Sequence, residues 1–178
     1  MTESGSPKQF DVLAYGASGT GTRRDTAAIQ AAVDACAAAG GGTVVLPCGR
    51  YLSGTILLRD NIDFHLMHGA VLVCSSDLAD FPSPHLLHAH EASNVTIRGG
   101  GEIDGRGREW CRQLETPPPW ACVPHHAYEP IEGRPLPLVH LIACQRVRIE
   151  DVMIRKLARL DRRPPGVRWR LDTRHSRR

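Results

Sequence analysis

Between Thr43 and Ile154 the chain is written in short β-branched or aliphatic runs: 43–47 (TVVLP), 51–58 (YLSGTILL), 62–75, 94–99 (NVTIRG) and 146–154 (RVRIEDVMI). Gly, Asn or Asp stands at most of the junctions, so each run reads as a strand and each junction as a turn. Val95 and Ile97 alternate with Thr96 and Arg98, and Val147 and Ile149 with Arg148 and Glu150, the period of a half-buried strand. These two stretches superpose at an offset of 52 residues. Self-similarity of this kind is expected when each strand belongs to one turn of a stacked structure.

Two architectures accommodate many short strands. A β-sandwich would want hairpin signals such as Asn-Gly or Asp-Gly between strands, and Asp104-Gly105 is the only such pair. A parallel β-helix needs short strands joined by bends, an apolar interior and a cover over its first coil, whose edge would otherwise pair with another chain. The cover is present in the sequence. Ile29, Ala32, Val33, Cys36 and Ala37 recur at helical spacing, Asp25 can cap the first turn, and Gly40 to Gly42 can end the last. A helix over 25–39 is expected.

The glycine-rich stretch before that helix, 15–30 (YGASGTGTRRDTAAIQ), raises the question of a phosphate cradle. Gly16, Gly19 and Gly21 give G-x-x-G-x-G rather than the dinucleotide fingerprint, and Arg23 and Arg24 separate them from the helix. The strand after the helix ends at Pro47, Cys48 and Gly49 instead of leading to a ribose-binding acid, and no Walker lysine is present. The stretch reads as a structural turn.

Charge is unevenly placed. Residues 156–178 hold nine Lys and Arg against two Asp, a net +7, while the whole chain carries +3, so the first 155 residues carry −4. The basic surplus is confined to the tail, which has one tryptophan and no base-stacking pattern, so no nucleic-acid partner is indicated. No membrane span is visible, and the polar opening 1–8 lacks a secretory signal and reads as disordered, which points to the cytoplasm. Six cysteines show no C-x-x-C and sit mostly in apolar surroundings, as buried free thiols do.

Four segments together carry a family resemblance: 11–58, from DVLAYGASGTGTRRDT to YLSGTILL; 62–82 (IDFHLMHGAVLVCSSDLADFP); 94–110 (NVTIRGGGEIDGRGREW); and 134–155 (RPLPLVHLIACQRVRIEDVMIR). They resemble the opening of polygalacturonases and their relatives in glycoside hydrolase family 28, of the pectate-lyase superfamily, over roughly residues 9–155. The resemblance implies an all-β fold, a right-handed parallel β-helix (single-stranded solenoid) with an N-terminal capping helix. It also implies inverting hydrolysis of α-linked galacturonan, in which one carboxyl protonates the leaving oxygen and others activate water. The family's Asn-Thr-Asp, Asp-Asp and Gly-His-Gly motifs do not occur in this chain, nor does its Arg-x-Lys stretch, so no catalytic residue is assigned. No metal and no cofactor is implied, the partner is a pectic polysaccharide, and the intact protein is expected to be a monomer. The rivals are a Ca²⁺-dependent lyase of the same superfamily and a non-catalytic carbohydrate-binding β-helix.

Substitute catalytic residues fare poorly. Asp104 sits in a glycine-rich bend, where an aspartate commonly bonds its own backbone. Glu150 and Asp151, if both are in a strand, point to opposite faces. His65 and His68 share a site only if the chain bends at Gly69. The histidines 85, 88, 90, 125 and 126 lie in proline-rich loop sequence and read as solvated rather than as a zinc site. Asn94-Val95-Thr96 matches a glycosylation acceptor but begins a strand. The long loop 116–137 bears Trp120 and Tyr128, whose aromatic faces suit sugar stacking, and these two are the expected substrate contacts.

After Ile154 the alternation stops, and 156–178 reads as a tail. With GC-ending codons, a one-base shift of residues 156–161 yields Ser-Ser-Pro-Ala-Trp-Thr, close to the family's continuation. A frameshifted solenoid, cut short after its first coils, is the expectation.

Overall fold

The computed structural model describes residues 8–113, 115 and 128–155; the tail 156–178 and its reading-frame question therefore lie outside the described residues. Among the described residues, fifteen strands form three parallel sheets and one hairpin. The first sheet stacks β1 (Gln9–Asp11), β3 (Gly42–Leu46), β6 (Ile62–Leu66), β9 (Thr96–Arg98) and β14 (Arg148–Glu150). The second stacks β2 (Thr20–Arg24), β4 (Gly49–Ser53), β7 (Ala70–Cys74), β10 (Glu102–Asp104) and β15 (Met153–Arg155). The third stacks β5 (Ile56–Leu57), β8 (Leu87–His90) and β13 (Val139–Ile142). β11 (Cys111–Gln113) and β12 (Tyr128–Pro130) pair antiparallel in an excursion between β10 and β13. The fold is a parallel β-helix, and each coil visits the sheets in turn.

In-register side chains make the core. Phe10, Val44, Phe64, Ile97 and Ile149 stand one above another in the first sheet, as do Tyr51, Leu72, Ile103 and Ile154 in the second. Val44, Phe64, Ile97, Tyr51, Leu72 and Ile103 are completely buried. Alternation along each strand sends every second residue into this interior, which is why the period of two is so clear in β6. The offset of 52 is one coil: Thr96 pairs with Arg148, and Leu87 pairs with Val139. That coil is long because it contains the excursion; the β3 to β6 step, from Gly42 to Ile62, takes only 20 residues.

Outside the coil, polar ladders tie the bends. Asn61, Asn94 and Arg146 each adopt positive φ at equivalent corners, and the Asn94 amide donates to Asn61 Oδ1 at 2.6 Å. Arg98 donates to both oxygens of Asp63, which also accepts from Thr43 Oγ1 at 3.0 Å.

The capping helix α1 (Thr26–Ala38) packs on β1, β3 and β5 and buries Ile29, Ala32, Val33 and Cys36 completely. Its end is closed by glycine. Gly40, at φ +87°, donates to Ala37 O and Gly41 to Cys36 O, the paired bonds of a Schellman motif. A Cβ on Gly41 would stand 2.6 Å from the Asn61 carbonyl oxygen, so the position needs glycine for space as well as conformation.

Two expectations require correction. The glycine-rich stretch contains a strand, β2, as well as a turn, because its exposed Thr and Arg side chains leave no apolar alternation to betray it. Among the five described cysteines only Cys36 and Cys74 are buried; Cys48 is exposed and Cys111 and Cys144 are intermediate. Burial pushes the Cys74 thiol up to about 12, which leaves it an unreactive apolar group.

Candidate functional site

The glycine turn is held by one carboxylate. Asp25 is 1% exposed and accepts from Ser18 N at 2.7 Å, Gly19 N at 3.2 Å and Ser18 Oγ at 3.1 Å. It makes no side-chain cap bond to α1, contrary to the expectation of a helix cap. The backbone donors that would face a phosphate in a nucleotide site are taken up by this aspartate. The turn is therefore a closed structural device at the capped end of the solenoid.

The other acids are built into the scaffold. Asp104 accepts from the Arg106 backbone at 3.0 Å, two residues on, as its bend sequence suggests, although it closes strand β10. Glu150 ends β14, while Asp151 takes φ +56° at the following bend, so the premise that both lie in one strand fails. Asp77 and Asp80 converge on Arg24, at 2.6 and 2.9 Å, joining the first coil to the third. Glu102 faces Arg155 at 3.6 Å across a shallow cleft lined also by Gly69, Gly100 and Met153.

The histidines divide into two groups. The chain does bend after β6, at Gly69, and His65 and His68 both pack on the next coil, His65 against Gly99 and His68 against Gly100. Burial, then the Arg98 charge, holds His65 below its ordinary range. On the third sheet His85, His88 and His140 come together: the rings of His85 and His140 have centroids 3.8 Å apart, and His88 lies 5.3 Å from each. A ring nitrogen of each lies within 4.8 Å of the others. This corrects the reading of these histidines as solvated loop residues. His85 is buried and His88 sits in strand β8, in register with His140. His140 belongs to a separate sequence segment and was not among the expected cluster, and the signal that could have found it is the same 52-residue offset. His90, at the end of β8, is exposed beside Glu91.

Trp120, His125, His126 and Cys122 lie outside the described residues, and Tyr128 is placed only by its backbone, as the first residue of β12. The tryptophan of the 94–110 motif, Trp110, is a core residue: it is 1% exposed and meets Phe81 edge-on at 5.8 Å. Asn94 is engaged through its amide nitrogen in the corner ladder, which suits structure rather than glycosylation.

Comparison with known proteins shows what this architecture is similar to. Residues 9–65 match the model described as Rhamnogalacturonase A/epimerase, pectate lyase-like. Over 135 residues the chain is 30% identical to the exo-poly-α-D-galacturonosidase of Dickeya chrysanthemi, covering 64% of this chain and 22% of that protein. A candidate glycosyl hydrolase of Parabacteroides merdae superposes with a TM-score of 0.67 at 31% identity, over 85% of this chain and 66% of that one. The family 28 exopolygalacturonase of Yersinia enterocolitica shares the fold, with a TM-score of 0.66 at 22% identity, over 87% of this chain and 36% of that one. Parallel coils, an in-register apolar interior and a helical cap thus define a capped parallel β-helix. In sequence, the chain is similar to a galacturonosidase and to a glycosyl hydrolase. It spans 22% of the length of the curated exo-poly-α-D-galacturonosidase. No helix among the described residues is long and apolar enough to cross a membrane.

Proposed function

We propose that this chain is the capped opening section of a glycoside hydrolase that cleaves α-galacturonosidic bonds of a pectic polysaccharide with inversion. The observation that carries this is the 30% identity to an exo-poly-α-D-galacturonosidase over 135 residues, covering 64% of this chain, far more than one local motif. In this reading residues 1–178 supply cap, first coils and part of the substrate groove. The hydrolytic carboxylates come from coils that are not in this sequence. Consistent with that division, Asp25, Asp63, Asp77, Asp80 and Asp104 all hold scaffold contacts. An inverting site needs two carboxyl groups about 6.5–9.5 Å apart with room for water between them. Trp120 and Tyr128 contact the polysaccharide through their aromatic faces, and the intact protein works as a monomer.

The test is reducing-end release from polygalacturonate by the 178-residue chain and by the same chain continued in frame into further coils. The short chain is expected to be inactive and the continued one active, with the anomeric configuration of the product inverted. Products absorbing in the ultraviolet would assign β-elimination instead. A change in uronate configuration without chain cleavage would assign epimerisation. In the active form Trp120→Ala is expected to weaken oligogalacturonate binding several-fold, the scale of one aromatic contact worth about 0.5–1.5 kcal/mol.

A further inference from the structure

We propose that His85, His88 and His140 form a binding site for a divalent first-row transition metal of the Zn²⁺, Co²⁺ or Ni²⁺ class, fastening the root of the excursion to the third sheet. The inference is independent of the polysaccharide reading.

The geometry brings three imidazoles together with two of them already oriented. His85 Nδ1 lies 2.9 Å from the Pro137 carbonyl oxygen, and His88 Nδ1 lies 3.1 Å from the His140 carbonyl oxygen. A carbonyl can only accept, so in both rings Nδ1 carries the proton and Nε2 presents its lone pair. Donation of the second ring N–H to a backbone carbonyl is the arrangement that orients metal-bound imidazoles and fixes their tautomer. His140 supplies the third ring, and its Nδ1 is buried with no hydrogen-bond partner among the described residues. Leaving such an atom unmet is costly, and coordination is one way to satisfy the ring.

The placement is equally specific. His88 and His140 are register partners on adjacent parallel strands, on the face of the sheet opposite Leu87 and Ala89, which are buried. His85 is itself 7% exposed and precedes β8. Pro137 and His140 lie where the excursion that follows β10 rejoins the coil. A metal here would therefore link three points: the entry to β8, the strand itself and the return of the excursion.

Chemistry selects the ion. Imidazole nitrogens suit zinc, nickel and copper, whereas Ca²⁺ and Mg²⁺ take oxygen ligands, and no carboxylate belongs to this group. Nitrogens each ~2.0–2.1 Å from a zinc ion sit about 3.3 Å from one another in a tetrahedron, so the rings, with nitrogens within 4.8 Å of one another, have to turn out of their stack to point their lone pairs at one ion. Three protein ligands leave a fourth position for water or an oxygen of a bound molecule.

Titration of the untagged 178-residue chain with Co²⁺, read by visible d–d absorption and by zinc competition, tests the assignment. One Co²⁺ per chain with tetrahedral-type bands, displaced by Zn²⁺, is expected. His88→Gln and His140→Ala should each weaken binding by about 100-fold or more, since even outer partners of a ligand are worth 10–100-fold. His65→Ala and His68→Ala should leave it unchanged. Should His140→Ala fail to fold by circular dichroism, His88→Gln at its half-exposed position carries the result. Absence of Co²⁺ binding by the parent, or binding by His88→Gln equal to that of the parent, would overturn the proposal. A stack of rings serving packing alone would give that outcome.

Discussion

Asp25 shows how much one side chain can do in this fold. Its carboxylate is buried and meets two backbone N–H groups and a hydroxyl of the glycine turn. Each buried donor left unmet costs about 1–3 kcal/mol, so Asp25→Ala is expected to lower unfolding free energy in urea by about 2–4 kcal/mol, and Asp25→Asn by less because one acceptor survives. An unchanged midpoint for Asp25→Ala would contradict the role. The sequence places an aspartate at this position, but the same residue suits a helix cap and a loop clasp, and only the three-dimensional path of the turn decides between them. His65 supplies a second residue-scale consequence. Burial, then Arg98 and His68, hold it below the ordinary 6.5, outweighing the attraction of Asp63. A histidine whose folded pKa is depressed binds its proton more readily when unfolded. Its contribution is therefore intact above about 6.5 and is lost as pH falls through that value towards the folded one. Urea unfolding at neutral and mildly acid pH should show this loss for the parent, and a shallower one for His65→Gln.

At the scale of elements, the helix and the aliphatic strands are readable and the short strands with polar outer faces are not. Helix α1 announces itself because Ile29, Ala32, Val33 and Cys36 repeat at helical spacing and the glycines after it have one plausible use; it runs Thr26–Ala38 against the expected 25–39. The strands β3, β4, β6, β7, β9 and β14 announce themselves by aliphatic content. Strands β8, β10 and β13 do not, because their outward positions carry His88, Glu102 and His140 and their inward runs are only three or four residues long. The histidine cluster was hidden for the same reason: register, not sequence proximity, joins His88 to His140. Because α1 covers the first coil chiefly through its buried face, Ile29→Ala is expected to cost about 2–5 kcal/mol, the range for large aliphatic side chains truncated in a core. Ala31→Ser, on the exposed face, should stay within about 0.5 kcal/mol. Equal effects at the two positions in equilibrium denaturation would mean that the helix is not a cap under load.

On the scale of the molecule, a solenoid exchanges the closure of a barrel for two ends, and the two ends here differ. One is covered by α1. At the other, β13, β14 and β15 each pair with a neighbour on one side only among the described residues, and Ile142, Met153 and Ile154 are 40%, 48% and 38% exposed. Strands with one free row of N–H and C=O groups and apolar neighbours are templates for another chain. The interior ladder Tyr51, Leu72, Ile103, Ile154 is fully buried up to Ile103 and loses its cover at the last rung, so burial of that rung favours whatever strand adds next. The 178-residue chain is therefore expected to self-associate, with a weight-average mass in light scattering that rises with concentration. Lysine at outward edge positions opposes such pairing without disturbing the interior, so Ile142→Lys with Met153→Lys should shift the distribution towards monomer while retaining the parent circular dichroism. A parent chain that stays monodisperse across a wide range of concentration would show that this edge is already covered, and the double variant would then change nothing.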